Sequence, residues 1–304
     1  MRSISYTVTD YFEGKKLISF LRGHVKISVR LLRSLKRVEG GIKVNGENAR
    51  TIDIIHTGDT VSINIPEDES TSVPTDYPLD VVYEDDDLLI INKPPMLPMH
   101  ESHNHQGDTL ANAVSGYLTK KGKSATFRAI GRLDKGTSGI VVCALNTHIA
   151  ARLSGNIKKQ YLALVTGEYT EDGTIDKPVY RPDPMKTYRT ADDRGDYAVT
   201  HYHIEKKCQG ATLMRIDLET GRTHQIRVHF AYLGTPLVGD RMYGEEDEII
   251  CHQALHCENV RFVHPVTGED VFVKAEMPED MREAIECRMQ NAECRIAGKK
   301  SETI

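Results

Sequence analysis

The chain has 304 residues, long for one compact domain, so two domains are expected. Its 27% charged and 39% hydrophobic residues are ordinary for a globular protein. No run of about 18 apolar residues marks a membrane span, which excludes a membrane-spanning class. The net charge of −5 is unevenly spread, because residues 1–60 hold eleven Lys/Arg against six Asp/Glu. A basic end on an acidic body points to a polyanion as the partner of that end. The N-terminus lacks the apolar core of a secretory signal. The six cysteines (143, 208, 251, 257, 287 and 294) show neither CxxC pairing nor zinc-like spacing. They predict reduced thiols in a cytoplasmic protein.

In chain order, Leu17, Phe20 and Leu21 have helical spacing. Ser28 is placed to cap a second helix with Leu31, Leu32 and Leu35 on one side. Arg30, Arg33 and Arg37 fall on the other side, a basic face for solvent or phosphate, and Gly40-Gly41 is the expected stop. Ile42/Val44 before Asn45-Gly46, and Val61/Ile63/Ile65 after Gly58-Asp59, alternate as strands do. Residues 1–66 thus read as a small α+β module, and the polar, acidic, proline-bearing stretch 67–78 as a linker.

The segments LISFLRGHVKISVRLLRSLKRVEGGIKVNG and HTGDTVSI resemble a small RNA-binding module first described in a small-subunit ribosomal protein. That resemblance implies that Arg30, Arg33 and Arg37 meet RNA.

Residues 79–304 read as a second, mixed α+β domain of mainly antiparallel strands with flanking helices. VVYEDDDLLIINKP is strand, solvated acidic turn, strand; GIVVCAL and YLALVTG flank a helical stretch; THYHIEKK and ATLMRIDLE form a hairpin. Thr223 is the expected cap of an amphipathic helix through HQIRVHFAYLG, and PEDMREAIECRMQNAE is helical by composition.

Chemistry concentrates in two places. In GRLDKGTSGIVVCALN, Asp134 sits in a glycine-flanked loop leading into an apolar strand. In LETGRTHQIRVHFAYLG, Arg222, His224, Gln225, Arg227 and His229 crowd one helix start, beyond what a core helix requires. His100, His103 and His105 lie close together, but H-x-x-H-x-H matches no metal spacing, so no metal is expected.

These segments together resemble the RluA-type pseudouridine synthases. The signature RLDxxTSG spans Arg132 to Gly139; K-x-Y-x-A-x-V-x-G is Lys159, Tyr161, Ala163, Val165 and Gly167; GRTHQIRVH is intact at 221–229. GxPxxGDxxYG runs from Gly234 to Gly244, and Asn92-Lys93-Pro94 with His100 supplies an early element. Gly131 departs from the family, where many members carry His before Arg-Leu-Asp, which bears on subfamily and target RNA.

The resemblance implies that Asp134 is the catalytic carboxylate, that Tyr161 stacks on the target base and that Arg227 pairs with Asp134. It further implies that Arg132 holds the target nucleotide out of its stack, with Arg222 and His224 also on RNA. Uridine isomerisation breaks a ribose–nitrogen bond, turns the base and rejoins it through carbon. Nothing is oxidised and no group enters, so no cofactor is expected. Whether the carboxylate attacks sugar or base, or acts as a base at the sugar, is open at this level. The implied partner is RNA, ribosomal before transfer RNA, for a monomer. Two other classes compete: an idle RNA-binding protein on the same fold, and a metal-dependent hydrolase using the histidine cluster.

Overall fold

The computed structural model describes residues 1–67 and 70–289. Residues 1–65 hold β1 (Arg2–Thr7), α1 (Leu17–Gly23), α2 (Val29–Leu35), β2 (Ile42–Val44), β3 (Glu47–Asn48) and β4 (Thr60–Ile65). The sheet runs β1-β4-β2-β3. Along β4, Val61, Ile63 and Ile65 are buried while the residues between them are not, the period-two pattern of a half-covered strand. Asn45 and Gly46 both take positive φ, 50° and 87°, and close the β2–β3 turn. Ser28 caps α2 by accepting from Leu31 N at 3.1 Å, and Leu31, Leu32 and Leu35 are buried.

The basic face is only partly helical. Helix α2 stops at Leu35, ahead of Gly40-Gly41, because Arg37 N and Val38 N bond back three residues, to Ser34 O and Leu35 O, instead of four. Arg37 therefore lies in the following turn, although Arg30, Arg33 and Arg37 are all exposed.

The larger sheet contains β5 (Asp80–Glu84), β6 (Leu88–Lys93), β7 (Ser138–Ala144), β8 (Lys158–Thr166), β9 (Gly173–Asp176), β12 (Val199–Cys208), β13 (Ala211–Leu218), β14 (Leu255–Val263) and β15 (Asp270–Lys274). Its order is β5-β6-β7-β14-β8-β13-β12-β9, with β15 on β14. A separate ribbon pairs β10 (Val179–Tyr180) with β11 (Thr190–Ala191). The helices are α3 (Leu110–Lys120), α4 (Thr147–Leu153), α5 (Gln225–Tyr232) and a last one, α6, over 279–289. The expected C-terminal helix is thus present as far as 289; its residues 290–293 lie outside the described residues. Among the described residues, all strand pairs are antiparallel except β7 with β14. Every residue of β7 is buried, consistent with a strand covered on both faces.

The stretch read as a linker lies extended along α3. Ser115 Oγ donates to Ser72 O at 3.0 Å, Asn112 Nδ2 to Val73 O at 2.9 Å, and Thr75 N to Asn112 O at 3.2 Å. The module also packs on the body: one continuous apolar cluster runs from Ile4 and Phe20 to Ile140 and Phe230. Tyr6 Oη and His148 Nε2 are 3.0 Å apart, and Arg152 donates to Val25 O.

The acidic turn at 84–87 corrects the sequence reading, because it is largely occupied and not simply solvated. Asp87 is buried and accepts from Arg2 of β1 at 3.1 and 2.7 Å and from Asn146 at 3.0 Å. Asp85 accepts from the backbone N–H of Asp87 and Leu88, and its other oxygen lies 3.0 Å from buried His264. A run of like charges survives here because each carboxylate has a buried or half-buried partner, Asp86 sharing Arg2 with Asp87.

Candidate active site

The loop bearing Asp134 enters β7 where β7, β14 and β8 meet. His256 and Cys257 of β14 pair with Ser138 and Gly139, and Cys257 also opposes Tyr161 of β8. Gly139 has φ 103°, and a Cβ there would collide with the Cys257 backbone, so only glycine lets the strands approach. The register sets Tyr161 beside the Asp134 loop, and both line one cleft with Arg132, Arg222, His224 and Arg227. Among the described residues, Asp134 is the one carboxylate on that wall.

Arg227, 6% exposed, bridges two carboxylates. Its Nη1 donates to Asp134 Oδ2 at 3.0 Å; its Nε and Nη2 donate to the two oxygens of Asp240 at 2.7 and 2.8 Å. The bidentate pair with the buried Asp240 fixes the guanidinium plane, which leaves one donor aimed at Asp134. Burial opposes the Arg227 charge, yet Asp240 and Asp134 hold its pKa above the ordinary value. Tyr243 lies under the guanidinium, 4.9 Å from ring centre to carbon.

Helix α5 does not begin as expected. Thr223 makes no cap, and His224 before the helix has φ 60°, not the extended backbone a Ser/Thr cap needs. Gln225 secures the turn instead: its Oε1 accepts from Arg222 N and Thr220 Oγ1, both at 2.9 Å, and its Nε2 donates to Val199 O and Thr200 Oγ1. Nor is α5 amphipathic, since residues 225–230 are all buried. Ile226 and Phe230 join the main core and Val228 a smaller cluster, so polar members of the helix are forced to find internal partners. The left-handed His224 aims its imidazole inward. Nε2 is 3.7 Å from Asp134 Oδ2, and Nδ1 is 2.8 Å from the Tyr243 hydroxyl, which also accepts from Arg189 N. Burial lowers the His224 pKa, against the pull of Asp134.

Tyr161 is 7% exposed and lines the cleft. Burial, with Cys257 and Asp134 adding, raises its phenol well above the ordinary range, so it is neutral at physiological pH. Arg132 and Arg222 are exposed at the mouth, Arg132 donating to Thr223 Oγ1 at 3.2 Å and Arg222 to Tyr197 O at 3.0 Å. Arg30, Arg33 and Arg37 line none of this cleft.

The departure at residue 131 has a local cause. Gly131 has φ 78°, and a Cβ there would stand 3.0 Å from Lys159 Nζ. A side chain at 131 would have to adopt a disfavoured backbone and displace a lysine. The three histidines do not converge: His100 packs on Phe127 at 5.1 Å, while His105 bonds Asp108 at 2.7 Å.

Three residues of the site received no role from the sequence: Asp240, Tyr243 and Lys93. Asp240 and Tyr243 lie in the GxPxxGDxxYG block, and their membership in that ordered motif is the signal that could have found them. Lys93 is fully buried, and its Nζ donates to Pro94 O, Leu97 O and Lys135 O at 2.9–3.1 Å, next to the Asp134 loop. Burial pushes its pKa down to about 7, partly offset by Asp134.

Residues 87–232 match a family model described as RNA pseudouridylate synthase. The chain is 38% identical over 304 residues to the uncharacterized RNA pseudouridine synthase YlyB of Bacillus subtilis, covering 96% of this chain and all of that one. It is 37% identical over 249 residues to the ribosomal large subunit pseudouridine synthase D of Escherichia coli, covering 75% and 76%. Among solved structures, human RNA pseudouridylate synthase domain containing 1 aligns with TM-score 0.55 and 26% identity, over 68% of this chain and 86% of that one. The mixed sheet, the cleft and these relatives agree: the chain belongs to the RNA pseudouridine synthases of the RluA type.

Proposed function

We propose that this protein isomerises uridine to pseudouridine in ribosomal RNA, in the cytoplasm and as a monomer, with Asp134 as the catalytic carboxylate. The observation that carries this reading is the Asp134–Arg227–Asp240 arrangement: a half-exposed carboxylate facing a cleft, held by an arginine that a buried acid orients. Several relatives are named ribosomal large subunit pseudouridine synthase D, which favours ribosomal RNA.

In this reading Arg227, donating to Asp134 Oδ2 at 3.0 Å, holds the carboxylate in position in a site that substrate closes to water. The ring of Tyr161 lies against the uracil face and keeps the detached base in place while it turns. The nitrogen–ribose bond breaks, the bond from ribose to ring carbon forms, and the proton of that carbon leaves as the freed nitrogen gains one. The reaction is an isomerisation and calls for no oxidant or added group. Arg132 fills the place of the extruded nucleotide, and Arg222 and His224 contact the RNA beside it. Arg30, Arg33 and Arg37 of the N-terminal module bind backbone phosphates further away.

The test is a pseudouridine map of ribosomal RNA from cells with and without the protein. At least one site should vanish without it; identical maps would contradict ribosomal RNA as the substrate.

A further inference from the structure

A second cleft opens beside the first and shares Gly221 and Arg222 with it. It encloses about 450 Å³, within the range of about 300–1,000 Å³ usual for ligand sites. Arg181, Arg189, Arg194 and Arg222 stand on its wall against one carboxylate, Asp196. Arg194 is neutralised by a two-point contact with Asp192, 2.8 and 2.6 Å, and lies over the Tyr180 ring at 4.5 Å. For the other three, the described residues place no carboxylate within ion-pair distance. Among the described residues their guanidinium groups donate only to backbone carbonyls: Arg181 Nε to Lys186 O at 3.0 Å, Arg222 Nε to Tyr197 O at 3.0 Å, and Arg189 Nη1 to the carbonyls of 186–188. A guanidinium has five donors, so each keeps several for a ligand.

Three like charges thus crowd here without a paired carboxylate among the described residues. Burial and then the nearby charges of Arg181 and Arg132 lower the pKa of Arg189. Such a cluster is relieved when an anion enters. Aromatic rings interleave with it. Tyr180 forms part of the wall, and Tyr188, 43% exposed, stacks on Tyr243 at 5.2 Å. Cation-lined grooves with aromatic faces are the general chemistry of single-stranded nucleic-acid sites. The loop is tied to the catalytic cleft through Arg189 N, which donates to the same Tyr243 hydroxyl that meets His224.

We propose that this second cleft seats the phosphodiester backbone of the single-stranded RNA flanking the target uridine, with Arg181, Arg189 and Arg222 on the phosphates and Tyr180 and Tyr188 against the bases. The proposal rests on the RNA reading above and adds its substrate-flank subsite. The β10–β11 ribbon and its loop, residues 179–191, are then a specificity element, because their length and charge select which flank fits.

The test is binding of a fluorescent single-stranded oligouridylate by the full chain at several salt concentrations. The proteins compared are the wild type, Arg181→Gln/Arg189→Gln and Arg181→Lys/Arg189→Lys. The Gln variant should bind about tenfold more weakly, and its salt slope should flatten by about 0.7 per lost phosphate contact. The Lys variant should keep the wild-type slope, because charge is preserved while the fork geometry is not. An unchanged affinity and slope in the Gln variant overturns the proposal. An equal loss in the Lys variant also overturns it, since the loop's shape and not its charge would then be responsible. Turnover is scored separately: an inactive wild type would defeat the enzymatic reading while the binding comparison still decides the cleft.

Discussion

Arg227 serves two acids of unequal burial, and that inequality decides what each substitution does. Asp240 is 1% exposed, whereas the Asp134 side chain is 26% exposed. Arg227→Ala would leave Asp240 buried without its bidentate partner, a loss of about 3–5 kcal/mol. Urea unfolding should show it as a lower midpoint. Asp134→Asn removes only the outer partner, Arg227 keeps Asp240, and stability should change by less than about 1 kcal/mol. Asp240→Asn should leave RNA affinity near the wild-type value yet lower the single-turnover rate about a hundredfold, as a misplaced catalytic group does. A rate equal to wild type would mean that Asp240 does not orient Arg227 for catalysis. That Asp134, Tyr161 and Arg227 share one cleft was legible in the sequence because their motifs are short and ordered. The orienting role of Asp240 was not, since a buried acid and a turn acid look alike in a string of letters. The resemblance put His224 on RNA; its left-handed backbone, which the sequence does not announce, also brings its imidazole to 3.7 Å from Asp134.

At the scale of elements, the seam between the N-terminal module and the body carries a titratable contact. His148 is buried against Tyr6, and burial lowers its pKa from 6.5 to about 4. The folded state therefore resists the proton that the unfolded chain accepts. Stability from this group is full above about pH 6.5 and falls as pH drops toward 4, by up to about 3 kcal/mol. His148→Gln should flatten the dependence of unfolding free energy on pH across that window; an unchanged slope would place the effect in other buried histidines. The seam also decides how to test the basic face. Removing residues 1–70 would strip partners from Asp87 and expose core, so substitution is the cleaner route. Arg30→Gln/Arg33→Gln/Arg37→Gln should flatten the salt slope of RNA affinity by about 0.7–0.9 per lost contact. The rate at saturating enzyme should hold. An unchanged slope would make the module structural.

For the whole molecule, fold class was readable because hydrophobic period separates strands of two from helices near 3.6. β5–β6, β12–β13, β2 and β4 all fall where the alternation and turns put them. What could not be read were long-range pairings: the parallel meeting of β7 with β14, and the burial of α5 on every side. Those depend on contacts between segments distant in sequence, such as Ser138 with His256 and Arg227 with Asp134, which no local pattern encodes. The chemistry invoked is redox-neutral and uses a carboxylate and an arginine, so activity should survive dialysis against EDTA; restoration by a single divalent ion after loss would redirect attention to the Asp85, Asp87 and His264 group. The most direct measurement is single-turnover release of tritium from uracil-labelled RNA by the wild type and by Asp134→Asn, with folding and RNA binding checked in parallel. The wild type should release tritium and the folded, RNA-bound Asn variant none. Release by that variant at an appreciable fraction of the wild-type rate would contradict Asp134 as the catalytic carboxylate.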